Sequence, residues 1–167
     1  VLQSIDIINV HPVAWDGAIF PNHNIRTIVG DGCALRFADK SYDIAFSNSV
    51  IEHVGSWDNQ QAFAAEIRRI GKSIWVQTPA FECPIEPHYL APFVHWLPKN
   101  IQRKIIRWLT PRGLIHKLSR KEVNEMVETT RLLKKREMRV LFPDCELYTE
   151  HLFGIIPKSY IAVRKVG

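Results

Sequence analysis

A chain of 167 residues, 46% hydrophobic and 23% charged, is long enough for one globular domain with a substantial core, and it contains no apolar run that would span a bilayer. Its three cysteines, Cys33, Cys83 and Cys145, are odd in number and far apart, without a CxxC pair. That argues against a disulfide framework or a zinc site and, with no basic-flanked leader at VLQSIDIINV, points to a reducing, cytoplasmic setting.

The elements follow in chain order. IDIINV (5–10) is a short β-branched apolar run and predicts a buried strand. Residues 11–24, with Pro12, Gly17 and Pro21, predict mostly loop. IRTIVGDG (25–32) and YDIAFSNS (42–49) predict two further strands. From about Asn59 to Ile70, Ala62, Phe63, Glu66, Ile67 and Ile70 recur at helical spacing, and Gly71 is expected to stop that helix as a glycine cap. SIWVQTP (73–79) predicts a fourth strand. These strands are continuous apolar runs rather than alternations, as in parallel sheets covered on both faces.

Residues 80–98 break the rhythm with four prolines, four aromatic residues and two histidines. A basic region follows. Residues 98–140 hold 13 lysines and arginines against 4 glutamates, within a chain of net charge +5. Ser119 and Glu122 predict a capping box opening a helix to about Thr130, and Lys135 to Leu141 predicts a short second one. The end of the chain predicts two strands, 145–153 and 158–165, joined closely enough to form an antiparallel hairpin. The expected architecture is therefore α/β: a mostly parallel sheet with a C-terminal antiparallel hairpin, helices on both faces, and a loop and basic helical insertion at about 80–140 in a single domain.

Three strand ends carry polar residues: Gly30-Asp31-Gly32, Ser47-Asn48-Ser49 and Gln77-Thr78. In open parallel sheets ligands bind beyond the carboxyl ends of the strands, so these ends mark the expected site.

The stretch GDGCALRFADKSYDIAFSNSVIEHV resembles class I S-adenosylmethionine-dependent methyltransferases of the type 11 group. Leu35, Phe37, Asp39, Ser41, Tyr42, Asp43, Ser47, Val50, Ile51, Glu52, His53 and Val54 carry the likeness, and AAEIRRIGKSIWVQTP extends it. The resemblance implies a Rossmann-like fold, S-adenosylmethionine as cofactor, and roles for matched positions. Asp31, beside the backbone of Gly32 and Cys33, is expected on the adenine. Asn9, or else Asp6, is expected on the ribose, and Ser47 and Asn48 beside the methionine part. Ile51 and His53 are expected to face the cofactor and substrate cavity. PIEPHYLAPFVHWLP and the C-terminal segment look like a subgroup tied to glycan or surface-polymer biosynthesis.

Methyl transfer is a displacement at an activated carbon, so the protein chiefly positions the nucleophile and excludes water, and a base helps when the nucleophile is a hydroxyl. His53, Glu86 and His88 are the candidate catalytic groups. Tyr89, His95 and Trp96 are candidate substrate contacts, and no metal set is evident. The end of the third strand reads SNSV rather than the N/D-P-P-Y/F of amine methylators, which favours an oxygen acceptor, small or glycan-linked. The basic segment 99–121 places charge beside Ile101, Ile105 and Trp108 and suits a membrane surface or a core-packed helix; nothing in it forms a stacking platform for RNA.

The family's first strand and its glycine-rich loop have no counterpart here, and the chain begins at Val1 inside a strand pattern, which reads as a fragment. In the family that strand separates the second from the fourth. The expectation is that the gap closes directly or that the open edges pair with another chain as a homodimer. Such a chain is either a methyltransferase or a non-catalytic binding module of the same fold.

Overall fold

A computed structural model of the chain describes residues 3–13, 24–86, 91–109 and 118–166. Strands β1 (Ser4–Asn9) and β2 (Asn24–Val29) pair in parallel, Asn9 opposite Val29. They form a ladder of their own. A second sheet has the order β3-β4-β8-β7: β3 (Tyr42–Asn48) runs parallel to β4 (Gly71–Pro79), and β4 runs antiparallel to β8 (Ile156–Arg164). Strand β7 (Glu146–Leu152) closes the edge as the expected hairpin, with a bulge between Glu150 and His151. Between these sheets and the basic helices lies a small ladder of β5 (Ile85–Glu86) and β6 (Ala91–Pro92).

Helix α1 (Trp57–Ile70) starts two residues before its apolar pattern because Ser56 caps it, its hydroxyl accepting from Asn59 N at 3.2 Å. It packs on β3 and β4 through Phe63, Ala64, Ile67 and Ile70. A short helix Lys135–Leu141 (α4, after α2 at Lys99–Leu109 and α3 at Arg120–Thr129) touches α1 and β8 and completes the main core with Met138 and Leu141. Each such side chain removed from water contributes roughly 1.5–3 kcal/mol. Helices α2 and α3 bury a separate cluster of Val94, Ile106, Val123 and Val127. The capping box at the start of α3 is present, Glu122 N donating to Ser119 Oγ at 3.2 Å and Ser119 N to Glu122 Oε2 at 2.7 Å.

Helix α1 ends at Ile70 as expected, with Gly71 as its C-cap, the Gly71 N–H donating to Ile67 O; its φ is −86° and it opens β4 directly. Glycine is needed there for space, since a Cβ would lie 2.7 Å from Ala45 Cβ and 2.8 Å from Ser73 O. Two expectations are corrected. Strand β3 alternates rather than being covered on both faces. Ala45 and Ser47 are buried, whereas Ile44 and Phe46 are 54% and 65% exposed, Phe46 stacking on Trp75. Finally, the direct closure expected between the first and third strands does not occur; β1 and β3 share no ladder.

Candidate functional site

A cavity of about 700 Å³ lies between β1 and β3. Asn9 and Val10 at the end of β1, the turn Gly30–Cys33 after β2, and Ser47 and Asn48 at the end of β3 all line it. So do Phe63 of α1 and His53 of the 3-10 turn Ile51–His53. Its volume sits well inside the range of small-molecule sites.

The turn after β2 is held from two sides. Asp31 Oδ1 accepts from Cys33 N at 2.8 Å, folding the carboxylate over its own turn. Gly32 passes so close to α1 that a Cβ would meet the Phe63 ring at 2.8 Å. Further along, Glu66 Oε2 accepts from Leu35 N at 2.7 Å, and Arg69 donates to Phe37 O at 2.6 Å and Leu35 O at 3.0 Å. Arg69 also pairs with Glu66 and Asp39. The Arg69 hydrogen bond holds the Glu66 carboxyl below its ordinary value. Burial, with Asp31 beside it, pushes the Cys33 thiol up to about 11, so it is a neutral wall group rather than a nucleophile.

At the end of β3, Ser47 is 5% exposed, and its Oγ has no hydrogen-bond partner among the described residues. Buried hydroxyls are normally hydrogen-bonded, so this one calls for a partner from the cavity, a water or a ligand. The chain then turns sharply: Ser49 has a φ of 54°, its N–H donating to Gln77 O at 3.0 Å and its hydroxyl to Gln77 Oε1 at 3.1 Å. Non-glycine residues in that region are concentrated at functional turns. This turn launches Val50–His53. Glu52 is fully buried, accepting from Thr78 Oγ1 at 2.9 Å. The half-exposed His53 stands on the cavity side, Nε2 4.0 Å from Glu52 Oε1.

Of the residues singled out from sequence, the cavity gathers Asn9, Asp31, Gly32, Cys33, Ser47, Asn48 and His53. Asp6 also borders it, but at the opposite end of β1 from Asn9. Its carboxylate is committed to Arg26 (2.6 and 2.7 Å) and to Tyr42 Oη (2.7 Å). Ile51 does not face the cavity. It is fully buried in the main core, because the 3-10 turn rotates it under α1 while Val50 and His53 take the rim. His95 and Trp96 are elsewhere, both bonded to Phe81 O at 2.9 Å near α2. His88, Tyr89 and the side chain of Glu86 lie outside the described residues. Missed from the sequence were Tyr42 and Phe63 as walls and the Glu66–Arg69 clasp, whose partners lie about thirty residues upstream.

Residues 8–73 match the family model of a methyltransferase domain, a span that holds nearly every wall of the cavity. The fold is similar to that of a SAM-dependent methyltransferase from Methanosarcina mazei, with a TM-score of 0.55 and 17% identity over 96% of this chain and 80% of that one. A protein from Pyrococcus horikoshii gives 0.54 at 14% identity, covering 96% and 70%, and one from Bordetella parapertussis gives 0.57 at 13%, covering 98% and 54%. At these identities the likeness is one of fold. No curated protein matches the sequence.

Proposed function

With a type 11 methyltransferase domain over residues 8–73 set in a Rossmann-like methyltransferase fold, we propose that this chain binds S-adenosylmethionine between β1 and β3 and serves methyl transfer to a small or glycan-linked oxygen acceptor. The observation that carries the reading is the buried, unpartnered Ser47 Oγ on the wall of a cavity that also collects Asp31 and Asn9. These residues fit the cofactor. Asp31 offers a carboxylate for the adenine amino group, Asn9 an amide for the ribose hydroxyls, and Ser47 with Asn48 polar groups for the methionine end. When bound, the cofactor supplies a methyl group already activated for displacement.

The chain's own part is placement and proton handling. Phe63, Ile67 and Ile70 give the cavity an apolar floor that excludes water. His53 is the group placed to take a proton from an acceptor hydroxyl. Glu52 acts through His53, as a positioning residue anchored by Thr78. No helix among the described residues is long and apolar enough to cross a membrane, and the exposed Trp108 and Ile101 of α2 make contact with a lipid-linked acceptor at a membrane surface part of this proposal.

Among the described residues no further strand pairs with β1 or with the outer edge of β3, which favours a second reading, a binding module of the same fold that holds a ligand, or pairs with a second copy, without turnover. Calorimetric titration of the chain with S-adenosylhomocysteine tests the first reading. Micromolar binding that is lost in Asp31→Ala supports it; a folded chain with no binding sinks it in favour of the second.

A further inference from the structure

A second cavity, of about 290 Å³, opens between α2, α3 and the segment leading into α4. His95, Lys99, Gln102, Arg131, Lys134 and Glu137 stand in its wall. Three fixed cations thus meet one carboxylate. Lys99 pairs with Glu128 at 2.7 Å, but Glu128 also pairs with Arg103, so one carboxylate serves two cations and a positive charge is left over. Arg131 is held in place, its guanidinium donating to Gln60 Oε1 and Glu137 Oε1, both at 2.6 Å. Lys134 is different. Its ammonium lies 4.7 Å from the centroid of the Phe81 ring, and among the described residues it has no carboxylate at ion-pairing distance. The ring face attracts the ammonium without cancelling its charge, which also acts on the Glu137 carboxylate.

The cations are fixed before any ligand arrives. Leu133 bridges to Ala80, and Phe81 N donates to Leu133 O at 3.0 Å. Lys134 N donates to Glu137 Oε2 at 2.8 Å. Arg131 N donates to Glu52 O at 2.7 Å. That last bond sets the cavity against the other side of the turn whose His53 lines the larger cavity. The volume is at the low end for ligand sites, suited to a group rather than a whole substrate. The excess of positive charge matches a phosphate, which carries about −1.5 to −2 at neutral pH, better than a single carboxylate.

We propose that this cavity anchors a phosphate group, as a monoester or diphosphate, of the methyl acceptor. The acceptor assignment rests on the methyl-transfer reading; the anion site does not. The test is calorimetric titration of the full chain, at fixed ionic strength, with inorganic phosphate, pyrophosphate and glucose 1-phosphate, and separately with S-adenosylhomocysteine. Saturable one-to-one binding of the phosphates is expected. Lys134→Gln should weaken it at least tenfold and leave S-adenosylhomocysteine binding and the circular dichroism spectrum unchanged. An ester or diphosphate binding tighter than inorganic phosphate supports an organic acceptor; equal affinity overturns the acceptor assignment, marking a site for free phosphate. Absence of phosphate binding, or binding indifferent to Lys134→Gln, overturns the anion site even if S-adenosylhomocysteine binds. Phosphate binding without S-adenosylhomocysteine binding overturns the acceptor assignment and the methyl-transfer reading together, and upholds the anion site.

Discussion

Tyr42 donates its phenolic hydrogen to Asp6 Oδ2 at 2.7 Å, and so ties the first residue of β3 to the β1–β2 ladder across the floor of the larger cavity. The Asp6 side chain is 4% exposed, and the Arg26 hydrogen bonds hold its carboxyl below the ordinary aspartate value. Burial first, then the bond to Asp6, pushes the Tyr42 phenol up to about 12. Tyr42→Phe leaves that carboxylate short of one donor and should cost about 1–3 kcal/mol in urea unfolding. The sign with pH follows from the neutral phenol being the bonded form. The contribution is full below the unfolded tyrosine value of about 10 and fades as pH rises toward about 12. The wild type and Tyr42→Phe should therefore converge in stability at the alkaline end.

Glu66 and Arg69 fix the wall that carries Asp31 to Leu35. Arg69→Leu should leave helix α1 folded but loosen that wall, weakening S-adenosylhomocysteine binding about tenfold, about 1.4 kcal/mol. The Glu66 carboxyl is held low by Arg69, so its contribution is present above the unfolded value of about 4.3 and lost as pH falls through the lower folded value. Binding measured from pH 7 downward should fall in that acid window in the wild type, and the fall due to this pair should be absent in Arg69→Leu.

Cys33 offers a chemical reporter of the cavity. A thiol raised to about 11 should alkylate slowly at pH 8, its rate climbing toward pH 11 instead of levelling near the ordinary thiol value of about 8.5. S-adenosylhomocysteine should protect it. Mass spectrometry of iodoacetamide-treated protein reads both effects; fast labelling at pH 8, unchanged by ligand, contradicts the placement of Cys33 in the ligand wall.

Gly71→Ala puts a methyl group 2.7 Å from Ala45 Cβ, in the tight contact between β3 and β4. The backbone angle itself is ordinary, so the whole effect is steric, about 1–3 kcal/mol of destabilisation in urea unfolding. The pair Gly71→Ala with Ala45→Gly should recover only the part due to the Ala45 methyl, since the contact with Ser73 O at 2.8 Å remains, whereas a conformational role for the glycine predicts no rescue at all.

The sequence was most readable where one local rule decides the outcome. β-branched runs marked the strands, and Ser119 three residues before Glu122 marked the start of α3. Two of the three polar strand ends, at Asp31 and at Ser47, line the cavity because strand direction puts them at one end, whereas Gln77 and Thr78 do not line it. Reading failed where distant segments meet. Nothing near Gly71 announces Ala45, and nothing near Leu35 announces Glu66 and Arg69. The resemblance places Ile51 at the cavity, but the three-residue 3-10 turn, with Ser49 in a left-handed conformation before it, turns it into the main core instead. The second cavity draws on the segment after β4, α2, α3 and the entry to α4, which only the folded chain brings together.

Two ladders that meet across a ligand-sized space give the bound molecule an architectural duty. Whatever fills the cavity between β1 and β3 becomes the keystone of an arch, with the Tyr42–Asp6 bond as its sill. Without it the β1–β2 ladder can come away as a separate unit of lower stability. With it both sides unfold together, so occupancy would show as sharper cooperativity as much as a higher melting temperature.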